Sequence, residues 1–186
     1  MILLAVHLES NGHAISLGRF DQYVYPYYKR DLEEGRITRE EALEIVECFF
    51  IKCNELNKLR SWPDTEFFLG YQMFINLAIA GQTVDGKDAT NEVSHLCVEA
   101  CENVRLFTPS VSIKWFEGTS DGFMMKALKA AQRHQGGQPA FYNDKAFIRT
   151  LKNMGLPRKT GWTGCRTDVS RHPSLENGIL RPKAHG

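Results

Sequence analysis

The 186-residue sequence lacks the features that would place it outside the ordinary globular proteins. No window approaches the 18 consecutive apolar residues of a transmembrane helix, so we predict no membrane partner. Lys+Arg number 23 and Asp+Glu 22, and this balance gives no electrostatic reason to expect a nucleic acid partner. Composition is 42% hydrophobic and 24% charged, which excludes disordered and low-complexity classes and suits about one domain.

The apolar run at the start of the sequence is short. Residues 1–6 are apolar, but no basic residue precedes them, and His7, Glu9 and Asn11 interrupt the run too early for a signal peptide. We therefore interpret residues 2–8 as a buried strand and expect a cytoplasmic protein.

Cysteine is sparse, and its spacing matches no common zinc motif. The five cysteines, an odd number, include neither a Cys-x2-Cys motif nor an adjacent pair. We expect reduced thiols, as in cytoplasmic proteins. Cys97 and Cys101 would share a helical face near His95, which leaves zinc open as an alternative, but cysteine is more often simply buried. We predict no metal site.

The first half of the sequence predicts helices. A helix over residues 19–34 contains Pro26 and ends at Gly35. Thr38 and Glu41 form a capping box at the start of the next helix. Its apolar face, with helical spacing, consists of Ala42, Val46, Phe49, Phe50, Cys53 and Leu56.

The second half alternates strands with helices. Residues 67–80 are almost wholly apolar and predict a segment buried on both sides, as a central strand or a core helix. Beyond it we predict a helix over 89–104, a strand from Pro109 to Phe116, a helix over 124–135, a strand over 139–143 and a helix capped by Asp144. This order is typical of an α/β domain with parallel strands.

Hydrophobic periodicity ends near Pro157. We therefore divide the sequence into a domain over residues 1–157 and a divergent, poorly ordered tail over residues 158–186. The tail is mildly basic, but its only aromatic residue is Trp162, so single-stranded nucleic acid binding is not favoured.

Several blocks, in this order, resemble the glycyl radical enzymes of the pyruvate formate-lyase type. They are Glu9-Ser10-Asn11-Gly12-His13, Gly18-Arg19-Phe20-Asp21-Gln22-Tyr23, Tyr25-Pro26-Tyr27-Tyr28, Gly81-Gln82-Thr83, Asp85-Gly86-Lys87-Asp88, Pro109-Ser110-Val111-Ser112 and Gly137-Gln138-Pro139-Ala140-Phe141-Tyr142-Asn143-Asp144. The resemblance covers residues 7–157.

The resemblance implies a fold and a chemistry. These enzymes enclose the active site in a ten-stranded α/β barrel, of which this sequence would form a helix-rich, incomplete part. A glycine radical, installed by an iron–sulfur activating enzyme that uses S-adenosylmethionine, converts a cysteine to a thiyl radical. The thiyl then abstracts hydrogen from a small substrate. No directly bound cofactor is implied.

The resemblance also implies site residues. The block over residues 9–28 is closer to the dehydratase and C–N or C–S lyase branch. In that branch His13 matches a position whose neighbourhood lines the substrate pocket, and Tyr71 matches another region of the pocket wall. A loop histidine and a core tyrosine are the alternative interpretations. The absence of a Cys-Cys pair separates the sequence from pyruvate formate-lyase itself.

The cysteine loop departs from the family pattern. It contains Gly164-Cys165-Arg166-Thr167-Asp168, with the carboxylate three residues after the cysteine instead of two. In one alignment Cys165 is the thiyl residue and Asp168 the displaced base. In the other, Arg166 occupies the cysteine position, which would leave the site inactive. We prefer the first alignment, in which Cys165 is the thiyl residue.

The 186 residues do not contain the family's C-terminal radical-glycine signature. We therefore expect an internal fragment of a lyase or dehydratase, inactive alone, whose open sheet edges promote self-association. The alternative is a non-catalytic binding or metal-binding module on the same scaffold, which stoichiometric zinc in the purified protein would support.

Overall fold

A computed structural model describes residues 15–57, 61–67, 73–134 and 137–154 of the chain. Along these residues four strands and six helices follow one another. They are β1 (Ile15–Arg19), α1 (Phe20–Glu33), α2 (Arg39–Glu55), α3 (Trp62–Phe67), β2 (Ile75–Ala80), α4 (Glu92–Val104), β3 (Ser110–Trp115), α5 (Asp121–His134), β4 (Ala140–Asn143) and α6 (Asp144–Asn153).

The four strands form one parallel sheet in the order β1-β2-β3-β4. Ala78 of β2 lies beside Ser112 of β3, which in turn lies beside Ala140 of β4. Parallel neighbours need a crossover connection, and the helices supply it. The predicted α/β architecture with parallel strands is confirmed.

The main core lies between the central strands and four helices. Leu77, Ile79, Val111 and Ile113 are fully buried and pack in one cluster with side chains of α1, α2, α4 and α5. Each fully buried side chain of this kind contributes about 1.5–3 kcal/mol. Of the two interpretations of the apolar run, a central strand is therefore confirmed for β2.

Two helices begin at reciprocal caps. The backbone amide of Glu41 donates to Thr38 Oγ1 at 3.2 Å, and the Thr38 amide donates to Glu41 Oε2 at 2.7 Å, which confirms the predicted box. Asn91 and Ser94 form a second box. Because Asn91 is the cap, α4 begins at Glu92 and not at residue 89.

Some predicted boundaries were wrong. β1 and α3 were not predicted, because β1 is short and no residue of α3 is buried. Phe67 is 78% exposed at the end of α3, so the buried run does not begin there. The cap of α6 is Asn143, whose Oδ1 accepts from the Ala146 amide at 3.0 Å, and not Asp144.

Within the described ranges, no helix is both long and apolar enough to cross a membrane. The strand predicted over residues 2–8 and the tail over residues 158–186 lie outside the described residues.

Candidate functional site

The carboxyl ends of all four strands meet at one edge of the sheet. In α/β barrels the ligand sites are formed at the carboxyl ends of the strands. At the end of β2 the backbone takes two successive left-handed conformations, with φ of +60° at Ala80 and +88° at Gly81. Positive φ is unfavourable for a residue with a side chain, so at Ala80 the surrounding structure must hold it in place.

Two residues hold this turn from the side of β1. The Arg19 guanidinium donates to the carbonyl of Gln82 at 2.8 Å and to that of Ala80. Asp21 Oδ2 accepts from the Ala80 amide at 2.7 Å and from Ser94 Oγ at 2.6 Å. Arg19 and Asp21 are both buried. Side chains from the β1–α1 junction thus replace the hydrogen bonds that a regular strand would have made.

Burial controls the protonation of Asp21. Desolvation raises the pKa of its carboxyl above the ordinary value, and the hydrogen bonds from Ser94 and Ala80 and the charge of Arg19 oppose the rise. Among the described residues, Asp21 Oδ1 has no hydrogen-bond partner. The folded chain therefore favours the neutral acid more than water does.

Two further residues hold the turn from the side of β3 and β4. Asp144 Oδ2 accepts from the Gln82 amide at 2.9 Å, and Asp144 Oδ1 lies 3.2 Å from Lys114 Nζ. Lys114 Nζ also lies 4.7 Å from the ring centroid of Phe147. The side chains of Lys114 and Asp144 are only 7% and 2% exposed. We call Arg19, Asp21, Lys114 and Asp144 the β2 clamp.

The β2 clamp is a positioning arrangement and contains no activated nucleophile. Removing one member of a buried ion pair leaves an unpaired charge, at a cost of about 3–5 kcal/mol. The buried thiols of the described region are equally unsuited to nucleophilic chemistry, because burial raises the pKa of Cys53 and Cys101 to about 12. What the clamp does is fix backbone atoms at the edge where a ligand would lie.

None of the four residues predicted from the resemblance falls in the described part of the chain. His13, Tyr71, Cys165 and Asp168 all lie outside it. Their roles therefore remain predictions.

Sequence reasoning did not identify the β2 clamp. One signal was available: Lys114 interrupts an otherwise apolar or small strand, and a parallel strand is usually buried on both faces. A buried lysine needs a partner, which the sequence alone does not name. In the described ranges no group of three or more His, Cys, Asp or Glu side chains is placed to hold a metal ion.

Comparison with known proteins identifies the family. The pyruvate formate lyase-like family model matches residues 1–169. A probable dehydratase, YbiW of Escherichia coli K12, is 37% identical over 159 residues, which are 83% of this chain and 20% of that protein.

Two solved structures are also similar. One, on 1,2-propanediol dehydration in Roseburia inulinivorans, matches with a TM-score of 0.82 and 45% identity over 87% of this chain and 20% of its own. The glycerol-bound B12-independent glycerol dehydratase of Clostridium butyricum matches with a TM-score of 0.77 and 42% identity, over 84% of this chain and 20% of its own.

The chain thus spans about a fifth of the length of the relatives it matches. The described sheet is one section of the barrel that its structural neighbours carry, which confirms the predicted partial barrel. The Escherichia coli relative is named a probable dehydratase and the Clostridium butyricum structure is of a glycerol dehydratase, which agrees with the branch that the sequence blocks predicted. The chain belongs to the pyruvate formate lyase-like family of glycyl radical enzymes.

Proposed function

We propose that the chain supplies one section of the barrel of a glycyl radical dehydratase that acts on a small vicinal diol. The observation that carries the proposal is the 45% and 42% identity to the structures concerned with 1,2-propanediol and glycerol. The match extends over most of the chain, and it includes the sheet whose carboxyl edge the β2 clamp organises.

In this proposal four residues outside the described ranges contact the substrate. Cys165 is the thiyl residue, and Asp168 is the base that accepts the proton of a substrate hydroxyl. His13 and Tyr71 line the pocket. The departure in the loop sequence at Arg166 makes Cys165 the residue to test first.

The reaction needs no external oxidant. The thiyl sulfur takes a hydrogen atom from the carbon that bears one hydroxyl. That hydroxyl gives its proton to Asp168, and the hydroxyl of the neighbouring carbon takes up one proton and leaves as water, so that no net proton is gained or lost. Return of the hydrogen atom from the thiol regenerates the thiyl and leaves an aldehyde. The overall conversion of a diol to an aldehyde and water is balanced in atoms and electrons. Exclusion of bulk water protects such an intermediate from side reactions.

The radical glycine belongs, in this proposal, to a part of the protein outside these 186 residues. An activating enzyme that uses S-adenosylmethionine and an iron–sulfur cluster installs the radical, and the cytoplasm is the place of action. The chain itself binds no cofactor directly.

A chimera tests the proposal. Residues 1–169 of this chain replace the matching segment of the Roseburia inulinivorans enzyme, and the product is activated anaerobically. We expect a glycyl radical signal by electron paramagnetic resonance and conversion of 1,2-propanediol to propanal. The Cys165→Ser chimera is the matched control, which should keep the radical and lose turnover.

The outcomes separate fold from function. A chimera that carries the radical but never converts 1,2-propanediol or glycerol would overturn the proposed function, while the family assignment would stand. Equal turnover by the Cys165→Ser chimera would remove Cys165 from its proposed role.

A further inference from the structure

We propose that Lys114 and Asp144 form a positioning pair that sets the Ala80–Gln82 backbone at the active-site edge of the sheet. Neither residue touches the substrate. The inference rests on the proposed function for its effect on turnover, but its structural part can be tested without it.

The two oxygens of Asp144 serve different strands. Oδ2 accepts from the Gln82 amide beyond β2, and Oδ1 lies 3.2 Å from Nζ of Lys114 on β3. Asp144 itself is the first residue of α6 and directly follows β4. One carboxylate therefore ties together the carboxyl ends of three adjacent strands, which fixes their relative position.

Lys114 has little freedom to act in any other way. Its ammonium is held between the Asp144 carboxylate and the ring of Phe147, and its side chain is 7% exposed. A lysine that recognised an anionic substrate would need to direct its charge into open space. Here the ammonium pairs with the Asp144 carboxylate, which in turn accepts a hydrogen bond from the Gln82 amide and orients it.

The turn is shaped to receive this pair. A Cβ added to Gly81 would lie 2.9 Å from Lys114 Cβ and 3.1 Å from Asp144 Oδ2. The backbone thus approaches the pair more closely than a side chain would allow. On the opposite flank, Arg19 and Asp21 bind the same three-residue turn.

Stability alone does not account for a buried ion pair. Apolar residues of similar volume often stabilise a fold as well as the pair or better, because charges lose their hydration on burial. An apolar pair, however, could not accept the Gln82 amide hydrogen bond. We infer that the pair serves to direct the turn.

The first experiment measures amide hydrogen exchange by NMR in the 186-residue chain. Lys114→Met should speed exchange at Ala80 and Gln82 by about tenfold or more, because loss of the ion pair removes the charge that orients the Asp144 carboxylate toward the Gln82 amide. Exchange at Val98, in the core of α4, should change far less. Lys114→Arg should restore most of the protection at Gln82.

A matched control removes a lysine from a partly exposed pair. Lys126 Nζ lies 2.9 Å from Glu99 Oε2, and Lys126→Met should leave exchange at Gln82 unchanged. If Lys114→Met does not fold, the double variant Lys114→Met, Asp144→Leu carries the same measurement, because this apolar pair leaves no buried charge unpaired and no oxygen to accept from the Gln82 amide. Equal acceleration at Val98 and Gln82, or none at Gln82, would overturn the inference.

The second experiment measures turnover in the chimera, per glycyl radical spin. Lys114→Met should lower kcat by about tenfold to a hundredfold with KM changed less than about threefold, because misplacement affects reaction geometry more than binding. Lys114→Arg should recover most of kcat. A loss confined to KM would instead make Lys114 a binding residue. If the parent chimera is inactive the proposed function fails, while the exchange result still decides the structural part.

Discussion

Gly81 and Lys114 approach so closely that a Cβ on Gly81 would lie 2.9 Å from the Lys114 Cβ. The glycine also has a φ of +88°, in the left-handed region that residues with side chains avoid. Steric contact and backbone conformation thus both require glycine at the end of β2.

The Gly81→Ala substitution should therefore cost more than a left-handed conformation alone. We expect a loss of about 2–5 kcal/mol in the free energy of unfolding, measured by urea denaturation, from backbone strain and overpacking together. Gly35 is the matched control, because it has a φ of +65° with nothing within 4 Å of the added Cβ. Gly35→Ala should cost only about 1–2 kcal/mol. Equal losses would show that the contact with Lys114 does not matter.

Asp21 should make stability depend on pH in an unusual direction. Burial raises its folded-state pKa above the unfolded value of 3.8, so the folded chain holds this proton more tightly. Its contribution is complete below the unfolded pKa and is lost as pH rises through the folded one. The stability of the wild-type chain relative to Asp21→Asn should therefore be highest below pH 3.8 and should fall as pH rises above that value.

Asp31 provides the opposite control for this titration. Its pKa is lowered by the hydrogen bond from Arg36, so its contribution is present above 3.8 and is lost as pH falls through the folded pKa. Asp31→Asn should give a small difference of the reverse sign, because the group is exposed and screened. The same sign for both variants would contradict the assignment of Asp21.

The thiols of the described region should react very unequally. Cys53, Cys97 and Cys101 are buried, and burial raises the pKa of each thiol well above its ordinary value. Because the thiolate is the reactive form, iodoacetamide at about pH 8 should label exposed Cys48 and leave these three unmodified. Peptide mass spectrometry before and after urea denaturation measures this, and labelling of Cys97 in the native chain would contradict the buried arrangement.

The edge strands of the described sheet favour association between copies of the chain. Within the described residues β1 and β4 are its outer strands, and Tyr142 on β4 is 44% exposed. Unpaired edges are templates for pairing with another chain. Sedimentation velocity should show species larger than one chain, and Tyr142→Lys should shift them toward the monomer. A clean monomer of the unmodified chain would refute this expectation.

The 186-residue chain alone should not acquire a glycyl radical. Its sequence does not contain the radical-glycine signature of the family. Anaerobic incubation with an activating enzyme and S-adenosylmethionine should give no doublet by electron paramagnetic resonance, whereas the full-length Roseburia inulinivorans enzyme should give one in parallel. A doublet from this chain would contradict the interpretation of it as a barrel section.

Local signals in the sequence predicted much of the fold. The capping box at Thr38 and the alternation of strands and helices from β2 onward depend on residues close together in the chain, and both are confirmed. β1 was missed because five residues of mixed burial give little periodicity. The family blocks predicted the barrel, since they combine many positions at once.

The β2 clamp could not be predicted in the same way. Arg19 and Gln82 are 63 residues apart, and Gln82 and Asp144 are 62 apart. Asp144 looked like a helix cap because it stands at the start of α6, yet Asn143 takes that role. Because Asp144 does not cap α6, its carboxylate is available to pair with Lys114 and to accept from the Gln82 amide. Pairings of this kind depend on which strand ends meet, and local patterns do not contain that information.

The long separation between Gln82 and Asp144 also bears on the order in which the chain assembles. Arg19 and Asp21 can form their hydrogen bonds to the turn at Gly81 as soon as β1 and β2 pair. The hydrogen bond from the Gln82 amide to Asp144 forms only after α4, β3, α5 and β4 have been synthesised, because Asp144 comes after all four. During translation this edge of the sheet is therefore completed late, and an emerging chain passes through a stage in which the turn after β2 lacks its contact with Asp144.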